Sequence, residues 1–186
     1  CSKYGRTTFS RKELYDIMCG AGFEIVKFYY PLPDYKLPQM IYSDEFLPQK
    51  DLGERLLFYH LNKNTLVASE QDLYADLIDN HVFPFFANSY LVECSLDGKC
   101  SSTIFAAVTT DRGKYHGMST SVYFNPGGEK RSVKKMALYR EGVSSVRAVY
   151  NNMMELKNRG IPIVPHYLEG DAVVMPFIPE ITCSDY

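Results

Sequence analysis

The residues best suited to chemistry in this chain are cations. Lys130, Arg131, Lys134, Lys135 and Arg140 follow the turn-forming run Asn125-Pro126-Gly127-Gly128, so a hairpin could bring them to a phosphate or an acidic sugar. Glu129 and Glu141 flank them and dilute the patch. A surface for single-stranded nucleic acid also wants aromatic rings interleaved along a groove, and Tyr123 and Tyr139 are weak support for one. Asp44-Glu45 and Asp76 with Asp79 are carboxylate pairs of the type used in acid–base catalysis, but acids on loops and helix faces are mostly solvated, so no role is assigned to them. The four histidines, His60, His81, His116 and His166, are spread singly, without metal-ligand spacing. No serine lies in Gly-x-Ser-x-Gly, and no Gly-x-Gly-x-x-Gly cluster occurs.

The elements that must position these groups are legible from punctuation and period. Ser10 can cap a helix while Glu13 reaches back, with Phe9 stapled onto Leu14. Leu14, Ile17, Met18 and Ala21 follow on one face, and Gly22 stops the helix in a left-handed turn. The next run, Phe23 to Tyr30, is apolar on both faces and predicts a strand covered by layers on both sides. Pro31, Pro33 and Pro38 predict an ordered loop or an edge, with Tyr29, Tyr30, Tyr35 and Tyr42 clustered around it, either packed against the prolines to fix a long connection or forming a substrate-contacting lid.

Asp51 to His81 reads as helical in two pieces, one with Leu56, Leu57 and Tyr59, the other with Leu73, Leu77 and Ile78 behind a Ser69 cap. Tyr90 to Leu96 predicts a strand that ends at the Asp97-Gly98 turn, and a domain boundary is expected there. Beyond it the pattern changes to consecutive strands at 103–109, 119–124 and 132–136. A helix should follow, with Val146, Val149, Tyr150 and Met153 on one face and Ser144 or Ser145 at its cap. Two further strands, 163–168 and 172–177, close the pattern, and Pro165 makes the first of them an edge or irregular. The predicted class is α+β, divided as 1–98 and 99–186.

Composition narrows the function classes. Across 186 residues, 46% are hydrophobic and 14% aromatic, enough for a packed core, and the formal charge of −2 offers no broad attraction to nucleic acid or anionic lipid. The longest apolar runs, such as Ala172 to Met175, are far too short to span a bilayer, so no membrane insertion is expected. Five cysteines, an odd number without a Cys-x-x-Cys pair, predict reduced thiols in a cytoplasmic protein. Cys94 and Cys100 are the one pair that could face each other, across the Asp97-Gly98 turn.

Two resemblances follow from these residues. Phe9-Ser10-x-x-Glu13-Leu14, the short helix, Ala21-Gly22-Phe23 and the strand after it resemble the final helix and following strand of class I S-adenosylmethionine-dependent methyltransferases. The likeness covers roughly residues 7–30 and, more loosely, Asn88 to Cys94 as the last strand of that fold. It implies a C-terminal α/β fragment with a helical insertion. The glycine-rich turn and the ribose-binding acid of that family would precede Cys1, so S-adenosylmethionine would belong to a longer parent protein and not to this chain.

Residues 101–180, with three strands, a helix and two strands, resemble the small lobe of protein kinases and related phosphotransferases. Val133-Lys134 or Lys134-Lys135 resembles the third-strand lysine site, Glu155 the helix carboxylate that pairs with that lysine, and Met175 to Pro179 the hinge into a second lobe. Lys134 and Glu155 are therefore the nucleotide-side residues implied by the resemblance; the bland alternative is a solvated lysine pair on an edge strand and a plain surface carboxylate. Gly113 and Gly117 depart from the kinase glycine loop, and no catalytic Asp follows.

Together the two resemblances imply a bacterial fusion protein of the kind associated with modification of surface sugars, in which this chain is a piece without its own reaction centre. Its partners would be the missing flanking domains or a second copy. The alternative is an interaction or oligomerisation module without enzymatic activity, docking through an exposed sheet edge.

Overall fold

The structure, a computed structural model, describes residues 8–49, 52 and 70–179. The expected helix around Leu56, Leu57 and Tyr59, the Ser69 cap, His60, Cys1, Cys183 and the resemblance's end at residue 180 lie outside the described residues. The chain divides into two compact units, Cys1–Ser101 and Ser102–Tyr186. Every strand pairing described below is antiparallel, and helices accompany the strands in both units, so the class is α+β.

The first unit opens with α1 (Arg11–Gly20). Ser10 caps it in a full capping box: its backbone N–H donates to Glu13 Oε2 at 2.7 Å, while its Oγ accepts from the Glu13 N–H at 3.3 Å. Those bonds to Ser10, from its backbone first and its hydroxyl second, hold the Glu13 carboxyl below the usual range. At the other end Gly22 takes φ +92°, and the N–H groups of Gly22 and Phe23 close on the carbonyls of Cys19 and Met18. This is the left-handed stop that a side chain at position 22 would strain.

The chain then enters β1 (Ile25–Leu32), flanked by β3 (Leu91–Ser95) on one side and β2 (Met40–Ser43) on the other. Phe28, Tyr29, Tyr30 and Leu32 are buried, in keeping with a strand apolar on both faces. Of the ordered loop and the edge that were expected, Pro31 takes the edge: it is part of this strand, pairs with Ile41 on one side and, among the described residues, has no strand on the other. The reason lies in the register: β3 pairs only with Ile25 to Tyr29 and β2 only with Tyr29 to Leu32, so Pro31 has no β3 neighbour to lose a hydrogen bond to.

Between β2 and β3 stand α2 (Glu70–Asp79) and the single-turn α3 (Phe83–Phe86). Among the described side chains of α2, Tyr74 is buried and packed against Phe83 at 6.1 Å between ring centroids, whereas Leu73 is exposed. A polar cluster fastens α1 to this sheet. Arg11 stacks on the Phe28 ring at 4.6 Å, donates to Tyr30 Oη at 3.1 Å and pairs with Asp44 at 2.7 Å, and the Tyr30 hydroxyl donates to Asp44 at 2.5 Å. Burial, reinforced by the bond to Asp44, drives the Tyr30 phenol well above its usual titration range.

The second unit runs β4 (Thr103–Val108), a 3-10 turn at Thr110–Arg112, α4 (Gly113–His116), β5 (Met118–Phe124), β6 (Arg131–Ala137), a second 3-10 turn at Arg140–Gly142, α5 (Val143–Asn158), β7 (Tyr167–Glu169) and β8 (Ala172–Pro176). Within this unit the strand order is β4-β5-β6-β8-β7. Ile104 sits where the β4–β5 register shifts, and its side chain is fully buried, so the bulge buys a core contact. The Asn125-Gly128 turn forms as expected, with Gly127 and Gly128 at positive φ.

Three local expectations change. The strand expected from Ile163 is limited to Tyr167–Glu169, Pro165 lying ahead of it. No serine caps α5: Gly142 precedes its first residue, and Ser145 Oγ donates instead to the Tyr115 carbonyl at 2.7 Å. The edge-strand part of the bland reading of Lys134 and Lys135 also changes, because β6 lies between β5 and β8. Among the described residues no helix is long and apolar enough to cross a membrane.

Gly142 is a steric joint. A Cβ built there would lie 3.1 Å from the Lys114 carbonyl oxygen and 3.2 Å from Ala137 Cβ. Backbone has to yield, so Gly142→Ala should lower stability by about 1–3 kcal/mol in urea unfolding. In the first unit, Tyr30→Phe removes a hydroxyl that serves both Arg11 and Asp44, and a loss of about 1–2 kcal/mol is expected by the same measurement.

Candidate functional site

Adjacent residues of a strand point to opposite faces, so β6 separates its two lysines. Pairings across the sheet identify the company of each. Phe105, Val122, Val133 and Met175 stand in one row across β4, β5, β6 and β8. The row beside it on the same face is Ala107, Thr120, Lys135, Val173 and Leu168. Lys135 is thus a cation set among apolar side chains, half-buried, and among the described residues it has no hydrogen-bond or ion-pair partner.

Lys134 belongs to the other face, with Ser121, Tyr123, Tyr167 and Glu169. Its ammonium is committed: Glu169 Oε2 lies 2.6 Å away. That hydrogen bond, the largest influence on it, holds Lys134 above the ordinary lysine range. Glu155, the carboxylate implied by the resemblance as the lysine's partner, is bonded to Arg159 one helical turn on. The structure therefore gives Lys134 and Glu155 separate partners, and it leaves Lys135, like Lys130 and Arg140, without a side-chain partner among the described residues. The sequence carried a signal for this choice in Val133-x-Lys135, an apolar residue and a lysine on one face, but the signal needs the strand register to be read.

Three other cations are engaged, whereas among the described residues the exposed side chains of Lys130 and Arg140 have no partner. Arg131 stacks on Phe177 at 4.9 Å, Lys114 approaches Glu141 at 3.9 Å, and Arg147 of α5 pairs with Asp171 in the β7–β8 turn at 2.8 Å. The stretch with two glycines, Gly113 to Gly117, is a helical turn and not an open phosphate loop; the Gly117 N–H donates to the Gly113 carbonyl at 2.8 Å.

Other groups resolve into structural roles. Asp44 serves Arg11 and Tyr30, and Glu45 lies 3.6 Å from Lys27. Tyr29 donates to Glu93 at 2.9 Å, and the second Glu93 oxygen accepts the Ser101 N–H at 2.7 Å, fastening the last residues of the first unit to its sheet. His116 Nδ1 is 3.4 Å from Ser145 Oγ, but that hydroxyl already donates to Tyr115, so the pair is not a nucleophile with its base. His166 directs Nδ1 at the Val164 carbonyl, 2.9 Å away, and lays its ring against Tyr150. Cys94 and Cys100 are free thiols. Among the described residues no group of three or more His, Cys, Asp or Glu is arranged to hold a metal.

Neither a protein-family model, nor a curated protein, nor a solved structure matches this chain.

The two lysines should differ in reactivity. With an amine acylating reagent and peptide mass spectrometry, Lys134 is expected to label more slowly than Lys135. Glu169→Gln should raise the Lys134 rate about threefold or more and leave Lys135 unchanged, since it removes one charge-assisted hydrogen bond worth about 1 kcal/mol at a partly exposed site.

Proposed function

We propose that the second unit is the nucleotide-facing lobe of a phosphotransferase-like domain, with Lys135 as the residue that reaches the phosphates. The observation that carries this is the face of β6 on which Lys135 stands, where an ammonium without a partner among the described residues lies beside the row Phe105, Val122, Val133 and Met175. An aromatic base packs on such a row, and a lysine one row away meets the phosphates that follow it. The strand order β4-β5-β6-β8-β7 and the insertion of α5 between β6 and β7 support the same reading, since they match the small-lobe pattern to which the sequence is similar. The Lys134–Glu155 pair drawn from the sequence is replaced in this proposal by Lys135.

For the first unit we infer the C-terminal segment of a methyltransferase-like domain. Its support is α1 leading through Gly22 into β1, and β3 returning antiparallel against β1. The whole would be a bacterial transferase acting in the modification of surface sugars, with S-adenosylmethionine held by parts of the parent protein outside this chain. On this reading the chain is inactive by itself, because phosphoryl transfer needs a catalytic acid–base residue and metal ligands in addition to a lysine.

The lysine assignment is tested in the parent protein by acylation with and without magnesium and ATP. Nucleotide should protect Lys135 and leave Lys134 unprotected; equal labelling of Lys135 in both conditions removes the assignment. Calorimetry with S-adenosylmethionine should give a binding heat with the parent protein and none with this chain. Heat from the chain alone would contradict the inference for the first unit.

A further inference from the structure

The face of the second unit turned away from Lys135 carries a groove with a different chemistry. It has a volume of about 600 Å³ and is lined, among others, by Ser121, Tyr123, Asn125, Lys134, Tyr167 and Glu169. Tyr167 is 55% exposed, so its ring is accessible, and Tyr123 sits close enough for Tyr167 and Glu169 to add to the upward push that burial gives its phenol. Two aromatic rings therefore share one polar groove.

Charge decides what such a groove can take. Among the described residues lining it, Lys134 and Glu169 carry the only charges, and they neutralise each other at 2.6 Å. A groove for single-stranded nucleic acid pairs its aromatic platforms with surplus positive charge along the backbone path, and that surplus is missing. An apolar peptide face would leave Lys134, Glu169, Ser121 and Asn125 without water or partners, which is costly. A neutral polyhydroxylated ligand meets neither obstacle. Its C–H faces pack on tyrosine rings, and its hydroxyls, each donor and acceptor at once, match the Lys134 donor, the Glu169 acceptor and the two-way Ser121 and Asn125 groups.

We propose that this groove, between Tyr123 and Tyr167 and across the Lys134–Glu169 pair, binds a neutral oligosaccharide. The site is separate from the Lys135 face, and its argument does not use the phosphotransferase reading. Lys134, on this view, is a ligand-positioning group held in place by Glu169.

Nuclear magnetic resonance titration of the chain tests it, with maltohexaose, cellohexaose and mannohexaose as neutral probes and a heparin hexasaccharide and oligothymidine as charged ones. At least one neutral probe should shift the Tyr123 and Tyr167 ring signals with a dissociation constant below about 10 mM, and Tyr167→Ala, at an exposed position that leaves the fold intact, should weaken it about tenfold. Glu169→Gln frees the Lys134 charge and should move preference toward the heparin hexasaccharide. No shift with any neutral probe overturns the proposal. So do binding that survives Tyr167→Ala, tighter binding of oligothymidine by the unmodified chain, and an unchanged preference in Glu169→Gln. Oligosaccharide binding and nucleotide protection of Lys135 are read by different probes at different residues, so either can fail without the other.

Discussion

The period of a β-strand is the constraint on which the second unit depends. Because β6 is paired on both sides, to β5 and to β8, it cannot rotate or slip without breaking two ladders, and its neighbouring lysines are held apart on opposite faces. One consequence is chemical. Lys134 reaches across β8 to Glu169 on the edge strand β7 and becomes half of a neutral pair, while Lys135 meets Val173 and Thr120 across the sheet and keeps its charge uncompensated among the described residues. Two residues identical in type are thereby given opposite electrostatic roles by one peptide step.

Local punctuation made much of this fold legible from sequence. The Ser10–Glu13 capping box, the Gly22 stop, the Asn125–Gly128 turn and the order of three strands, helix and two strands depend on residues close in the chain, and all of them are present. What escaped depends on partners distant in sequence. Pro31 reads as part of an ordered loop or an edge, and only the offset between the β2 and β3 pairings decides for an edge position inside β1. Ile104 reads as an ordinary member of an alternating strand, and only the register shift against β5 sends it wholly into the core. The choice between Lys134 and Lys135 is of the same kind: a sequence places both on one strand, but a face acquires meaning only from what the neighbouring strands put on it.

The first unit illustrates a second limit of pattern reading. The apolar positions of α1 predicted a hydrophobic face, yet none of its residues is fully buried and Ile17 is 48% exposed. Its hold on the sheet comes through a polar residue. Arg11 lays its guanidinium on Phe28 and divides its donors between Tyr30 and Asp44, so one side chain joins the helix to β1 and to the turn after β2. A planar fork suits that geometry better than the point charge of a lysine would. Hydrophobic period finds helices, but it does not find the contact that docks them when that contact is ionic and aromatic.

The neutralised pair and the lysine that has no partner among the described residues also set how each face responds to its surroundings. A field from an approaching anion acts on the full charge of the half-buried Lys135, whereas on the opposite face the same anion meets Lys134 and Glu169 as a dipole whose influence falls off faster with distance. Rising ionic strength should therefore weaken contacts made at the Lys135 face and leave hydroxyl contacts at the Tyr123–Tyr167 groove almost unaltered. The two faces of one sheet differ in kind because a carboxylate on β7 stands within reach of one lysine and not of the other.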